Sequence, residues 1–350
     1  MGKLNVAIIF GGCSSEYLVS LESATSVIKN LNSDKYNTIL LGITREGGWY
    51  YFFGDVEEIR KDTWHSGNHC VPAILSPNRG GDNVIIFGKS EMKLISADVV
   101  FPILHGRNGE DGTVQGLIEL SGLPIVGCKT LASALCMDKD RAHRLVEKAG
   151  IRVPQSMVYT EEYDIDEIKV FAGMIGYPLF VKPVKAGSSY GITKVQSADA
   201  LVDAIQAAFE YDDEIIVEEN IEGFEVGCAV LGMDELLVGE VDEIELAEGF
   251  FDYTEKYTLK TSAIHVPARI SNTLAEDIKQ YAKRIYRTLG CSGFARVDMF
   301  VTPEGEVVFN EVNTIPGFTE HSRYPGMMKA AGYDFKTVLD MLIEQAVKEC

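Results

Sequence analysis

Short apolar runs alternate with longer amphipathic stretches along the chain, a pattern that predicts a mixed α/β protein. Val6-Ala-Ile-Ile-Phe10 is uninterrupted and ends in Gly11-Gly12, as a strand buried on both faces does before a tight turn. Val19, Leu21, Ala24, Val27, Ile28 and Leu31 follow at helical spacing, with Ser14 or Ser15 as N-cap. Further strands are predicted at Thr38–Ile43, Val84–Phe87, Val99–Leu104 and Pro124–Gly127, with a helix from Val114 to Leu120. Thr130–Ala149 reads as one helix closed by Gly150, and Ile151-Arg-Val-Pro154 as a linker. Beyond it lie a helix near Ile165–Phe171, a strand Pro178–Pro183, a loop Val184–Gly191 and a strand Ile192–Val195. A helix Ala198–Phe209 and a strand Glu214–Glu218 complete a small α+β unit. Strands Val226–Leu231 and Leu236–Val241, an acidic loop to Glu248, a strand Ala263–Val266 and helices Ser271–Leu289 and Asp334–Lys348 account for the rest.

One hairpin carries most of the chemistry. Phe294-Ala-Arg-Val-Asp-Met-Phe300 and Val308-Phe-Asn-Glu-Val-Asn313 flank a Pro/Gly turn. The period of two puts Arg296 and Asp298 on one face of the first strand, and Glu311 and Asn313 on one face of the second. If the strands pair, Asp298, Glu311 and Asn313 converge as hard oxygen donors, a set suited to Mg²⁺ whose shell is completed by phosphate. The alternative is a surface hairpin with solvated acids. Two loops add to the picture. His105-Gly-Arg-Asn-Gly-Glu-Asp-Gly112 follows a buried strand at its C-terminal end, where open α/β sheets bind ligands. There His105 either caps a helix or makes a charged or hydrogen-bonding contact to an anion. Gly187-Ser188-Ser189-Tyr190-Gly191 can wrap phosphate oxygens with backbone N–H groups, although a plain Gly/Ser hairpin reads the same way. Gly249–Tyr257 has the length and Tyr/Lys content of a lid, or is an ordinary long loop.

At 350 residues two or three domains are expected. The formal charge of −20, without a basic cluster, argues against nucleic acid and anionic membranes as partners. Seven scattered cysteines with no CxxC pair or zinc spacing suit reduced thiols, and no segment reads as a leader or a membrane span. A cytoplasmic location is expected.

Eight stretches in order resemble the D-alanine–D-alanine ligase family of the ATP-grasp superfamily, over essentially the whole length. They are Gly11–Glu16, Leu104–Gly112, Ala134–Lys139, Val181–Pro183, Gly187–Gly191, Glu255–Tyr257, Ala295–Asp298 and Asn310–Gly317. The resemblance implies a three-domain ATP-grasp fold mixing α/β and α+β parts. An N-terminal open parallel α/β domain (1–128) would precede a central domain with the phosphate loop (129–222) and a C-terminal domain with lid and Mg²⁺ hairpin (223–350). It implies an ATP-dependent ligase of peptidoglycan precursor synthesis that acts as a homodimer. By resemblance, Lys139, Lys182, Glu218, Ile221 and Glu225 surround the ATP, Gly187, Ser188 and Ser189 fold over its phosphates, and Lys256 reaches them from the lid. Asp298, Glu311 and Asn313 would hold two Mg²⁺ ions, with Mn²⁺ able to stand in. Glu16 would bind the ammonium of the first D-alanine, linked to Ser188 and Tyr257, and His105 would lie near its carboxylate. Arg296 and the Gly317 N–H would stabilise the tetrahedral oxyanion.

Second-substrate choice rests on three positions. Ser322 would grip that substrate's carboxylate. Phe251 stands where family members commonly carry Tyr, and Arg323 where they commonly carry Leu or Met. Both resemble the vancomycin-resistance ligases that make D-alanyl-D-serine, because a guanidinium can satisfy a hydroxyl that an aliphatic pocket leaves unpaired. D-alanine and D-serine are therefore the expected substrates, with D-alanine in both positions as the alternative reading. Pairing of Arg323 with a nearby acid such as Glu320 is the plainer account of that residue.

Overall fold

The computed structural model describes residues 2–187, 190–246 and 262–348. Three sheets organise them. The first has seven strands: β1 (Leu4–Gly11), β2 (Tyr36–Ile43), β3 (Trp49–Phe52), β4 (Cys70–Leu75), β5 (Val84–Phe87), β6 (Met92–Ile95) and β7 (Val99–Ile103). Their order is β6-β5-β4-β3-β2-β1-β7. The expected parallel sheet is formed by β2, β1 and β7, and an antiparallel meander extends it on one side. Val6, Ile8 and Phe10 pack to one face of β1 while Ala7 and Ile9 pack to the other, so the apolar run is buried twice over.

Helix α1 (Tyr17–Asn30) follows β1, and α2 (Val56–Arg60) lies in the meander. The first helical residue is Tyr17 and the cap position belongs to Glu16, not to Ser14 or Ser15. Ser14 instead accepts from the Glu16 N–H through its hydroxyl, at 3.1 Å. Helix α3 (Thr113–Ser121) follows the His105 loop. The segment read as one helix from Thr130 is two, α4 (Thr130–Met137) and α5 (Lys139–Lys148). Asp138 breaks it, since its carboxylate accepts from the Arg141 N–H at 2.9 Å and starts a new helix.

The second sheet has four strands in the order β10-β9-β11-β8: β8 (Ser156–Thr160), β9 (Leu179–Pro183), β10 (Thr193–Val195) and β11 (Glu214–Glu219). With α6 (Ile165–Ile175) and α7 (Leu201–Phe209) it encloses a core of its own. Residues 129–150, grouped by sequence with this unit, pack elsewhere: Ala132, Cys136, Ala142 and Val146 belong to the core of the third sheet.

That third sheet contains β12 (Phe224–Gly232), β13 (Leu236–Val238), β14 (Asp242–Leu246), β15 (Ser262–His265), β16 (Gly293–Val301) and β17 (Val307–Asn313). The order is β15-β14-β12-β16-β17, with β13 beside β12. The stretch read as an acidic loop before Glu248 is strand β14, whose charges find partners: Glu243 takes Arg269 at 2.6 Å and Asp242 takes Arg323. Helix α8 (Asn272–Thr288), capped by Ser271 as expected, covers one face. Helices α9 (Arg323–Ala330) and α10 (Phe335–Lys348) close the chain.

First and third sheets are not independently cored. Phe10, Tyr17, Trp64 and Phe101 from one end of the chain share a cluster with Phe294, Phe318, Tyr324 and Phe335 from the other. Phe318 touches four aromatic rings with centroids 5.0–6.2 Å away. Backbone meets backbone at the same junction. Gly293 has φ +69, and a Cβ there would lie 2.7 Å from Gly127 Cα and N. Among the described residues no helix is long and apolar enough to cross a membrane.

Phe318→Ala is expected to destabilise the fold by about 3–5 kcal/mol, as truncation of a fully buried aromatic does. Because Trp64 lies in the same cluster, its fluorescence transition and the far-UV transition should move down together in urea.

Candidate functional site

The hairpin forms as its alternation predicts. β16 and β17 are antiparallel, with Asp298 opposite Glu311 and Arg296 opposite Asn313. The register shifts just beyond Asp298, so Met299 faces Phe309 and Asn310 is the extra residue of a bulge. His143 holds that bulge: its Nε2 donates to the Asn310 carbonyl at 2.8 Å.

Register across four strands lays out the floor of the site. Asp242 on β14, Gly227 on β12, Asp298 on β16 and Glu311 on β17 fall in one row. The next row is Ala229, Arg296 and Asn313. Gly227 leaves room for the Arg323 guanidinium, which a Cβ at that position would strike, along with Asp242 Oδ1 at 2.6 Å. Arg323 is buried. Its Nε and one terminal nitrogen donate to both oxygens of Asp242, at 2.7 and 2.9 Å, and the other terminal nitrogen to Glu225 at 3.0 Å. Asp298 lies 3.4 Å from the same fork. The partners of Arg323 are thus Asp242, Glu225 and Asp298 and not Glu320.

Asp298, 1% exposed, is surrounded by donors. Arg296 grips it through Nε at 2.8 Å and a terminal nitrogen at 2.7 Å, and Asn313 donates to it at 2.9 Å. Burying this carboxylate is tolerable only because cations and an amide replace its water. Arg296 keeps one terminal nitrogen for another acceptor. Lys139 lies 3.7 Å from Glu311 and donates to the Ala186 carbonyl at 2.9 Å. Lys182 and Glu218, both buried, pair at 2.5 Å. Glu218 Oε2 and His143 Nδ1 are buried without a hydrogen-bond partner among the described residues. Ile221, just before β12, and Glu225, at its start, are partly buried. No group of three or more His, Cys, Asp or Glu side chains among the described residues is arranged to hold a metal ion. The Asp298–Glu311–Asn313 set has two carboxylates and a carboxamide, which fits Mg²⁺ only where a ligand's phosphate oxygens complete the shell.

A second wall comes from the C-terminal ends of β1 and β7, the point where the strand order changes direction. Glu16, buried at the start of α1, lies between two glycines: a Cβ at Gly106 or Gly187 would come within 2.5 or 2.7 Å of its Oε2. His105 is 4% exposed. Its Nδ1 lies 2.9 Å from the Ile315 carbonyl, an acceptor, so this nitrogen carries the proton, and Nε2 takes the Ser23 hydroxyl at 3.1 Å. Burial pushes the imidazole down to about 4, against the Ile315 bond and with help from the Arg296 charge. Both ring nitrogens are thus engaged within the protein, and burial disfavours the charged form of the ring. Glu110 accepts from the Gly106 and Ile315 N–H groups at 2.7 and 3.1 Å. Burial and then the Glu16 charge push its carboxyl up to about 8.

Gly317 lies against Ser322, whose Oγ a Cβ there would approach to 3.3 Å. That hydroxyl accepts from the Thr319 N–H at 3.1 Å. Ser188, Ser189, Phe251, Lys256 and Tyr257 lie outside the described residues, as does the lid reading of Gly249–Tyr257. Sequence reasoning missed Asp242, Gly227 and the roles of Glu110 and His143. Only the isolated glycine inside a strand pattern signalled a close approach of other groups.

Comparison with known proteins gives a consistent picture. A family profile described as "D-ala D-ala ligase N-terminus" matches residues 5–128, and one described as "D-ala D-ala ligase C-terminus" matches residues 145–344. A D-alanine–D-alanine ligase of Caldicellulosiruptor bescii is 44% identical over 356 residues, covering 100% of this chain and 96% of that one. The vancomycin C-type resistance protein VanC1 of Enterococcus gallinarum is 43% identical, covering 98% of both chains. Among solved structures, the VanG D-Ala:D-Ser ligase from Enterococcus faecalis superposes with a TM-score of 0.92 at 55% identity, covering 99% of this chain and 100% of that one.

Because the folded chain refuses the proton that an unfolded His105 accepts between about pH 6.5 and 4, stability should be full above that window. It should fall as pH drops through it, by about 2 kcal/mol at pH 5. Urea unfolding of the protein and of His105→Gln at about pH 7 and about pH 5 checks this, the variant showing the shallower slope.

Proposed function

The chain belongs to the D-alanine–D-alanine ligase family, whose members are ATP-dependent ligases, and on that premise we propose that it joins D-alanine to D-serine. The observation that carries the choice of D-serine is the buried Arg323, seated over Gly227 and fixed by Asp242 and Glu225. Beside Ser322 and Gly317 this gives a second-substrate wall that is polar and already ordered. Such a wall sets polar atoms, already paired with one another, around the second amino acid in place of an aliphatic side chain, and so suits a hydroxyl better than a methyl. D-alanyl-D-serine of this kind is the altered peptidoglycan precursor of glycopeptide resistance.

In the reaction, the carboxylate of D-alanine takes the γ-phosphoryl group of ATP, releasing ADP, and the amine of the second amino acid then attacks the acyl phosphate, losing a proton and expelling inorganic phosphate. Glu16, set between Gly106 and Gly187, holds the first ammonium. Lys139 and Lys182 face the phosphates, and the orphaned Glu218 Oε2 offers an acceptor to a nucleotide hydroxyl or amine. Asp298, Glu311 and Asn313 would hold Mg²⁺, which neutralises phosphate charge when bound. Arg296 has a terminal nitrogen left for the oxyanion, with the Gly317 N–H as second donor. Neutral His105 orients and does not counter a charge. Two such chains are expected to pair through their N-terminal domains, which sedimentation tests.

Phosphate release with D-alanine alone, and with D-alanine plus D-serine, should be followed by identification of the dipeptides. D-alanyl-D-serine is the expected main product at equal concentrations. Predominant D-alanyl-D-alanine would overturn the specificity reading, and no turnover with any D-amino acid the ligase reading. Arg323→Leu should shift preference toward D-alanine and also destabilise by roughly 3–5 kcal/mol, because Asp242 is left buried without its cation. Combining it with Asp242→Asn should restore part of that stability while keeping the shifted preference, read by urea unfolding and product ratio.

A further inference from the structure

Ile315 is held at every polar and apolar point it has. Its side chain is 3% exposed, in the core shared by the two ends of the chain. Its N–H donates to Glu110 Oε1 at 3.1 Å, and its carbonyl accepts from His105 Nδ1 at 2.9 Å. Both partners come from one loop, more than 200 residues away in sequence. The second oxygen of Glu110 takes the Gly106 N–H at 2.7 Å, inside that same loop. A carboxyl side chain offers two separate oxygens, and here each takes one N–H. The loop is tied further back, since Ser14 donates to the His105 carbonyl at 2.6 Å, and Gly106 packs on Glu16.

Position in the chain gives this grip its meaning. Ile315 falls between Asn313, the last residue of β17, and Gly317. We infer that Glu110 is a positioning residue which, with His105, clamps the Ile315 peptide and so sets the 313–317 segment at the distance from Glu16 that the reaction needs. The inference rests on the proposed roles of Asn313 and Gly317. Both oxygens of Glu110 are taken by backbone N–H groups, so it acts by fixing where the donors to the reacting carbonyl stand relative to the first amino acid. Displacement of such donors by a fraction of an ångström lowers turnover without loosening ATP, whose residues Lys139, Lys182 and Glu218 lie on other elements.

Glu110→Ala should lower kcat for dipeptide formation by about 10- to 100-fold while leaving KM for ATP within about twofold. Glu110→Gln, of the same size but with one acceptor oxygen fewer, should fall between it and the unaltered protein. A readout independent of turnover is amide hydrogen exchange in the protein without ligands. The Ile315 and Gly106 amides should exchange faster in Glu110→Ala, and those of α7 and β11 at an unchanged rate. Where Glu110→Ala fails to fold, Glu110→Gln decides. Unchanged exchange at Ile315, or a kcat within about twofold of the unaltered protein, overturns the inference. If the unaltered protein makes no dipeptide, the ligase reading has failed, and faster exchange at Ile315 still bears out the clamp.

Discussion

Asp298 is a carboxylate with almost no access to water, and the geometry around it follows from the need to replace that water with donors. Two guanidinium groups and an amide stand in for solvent. One of those cations, Arg323, is itself buried and so needs anions of its own, which Asp242 and Glu225 supply. Neutralisation therefore spreads sideways across β16, β12 and β14, row by row, and Gly227 is small because the chain of charges passes over it. A substitution anywhere in the set acts on all of it. Strand β14 is thereby bound electrostatically, through Arg323, to the strand that carries Asp298.

A different division emerges from the apolar contacts. The first and third sheets share one aromatic cluster, whereas the four-stranded sheet keeps its core to itself. Glu16, His105, Glu110, Ile315 and Arg296 thus sit on one continuous scaffold. Lys182 and Glu218 belong to the separately cored unit and meet the scaffold through Glu16 beside Gly187 and Lys139 beside Ala186.

Much of this was legible in the residues. The alternation in 294–300 and 308–313 was enough to predict a hairpin with Asp298, Glu311 and Asn313 on one face, because the period of two is a local property of a strand. The Asn310 bulge was not, since it depends on His143 reaching across from another helix. Asp242 was lost inside an acidic stretch that reads as solvated loop. Its burial is decided by Arg323, 81 residues on, and no local pattern reports that pairing. Arg323 drew attention for its chemistry, but nearness in sequence suggested Glu320 when the fold supplies Asp242. Thr130–Lys148 kept a helical pattern across the break because Asp138 caps without disturbing the apolar period.

The bare contact between Gly127 and Gly293 bears on how such proteins exchange parts. Gly293 cannot gain a side chain without driving the backbones apart, and Gly127 is held to glycine by its φ of +119, so the two ends of the chain meet through a joint that is tight on the Gly293 side. A recombinant that takes its N-terminal third from one parent and its hairpin from another inherits half of that joint from each. Where the hairpin parent carries a bulkier residue at 293, the chimera begins with its two scaffold sheets wedged open, however well each half folds. Crossovers that move both glycines together avoid the mismatch, and lineages built by shuffling these segments should carry that pairing as a scar.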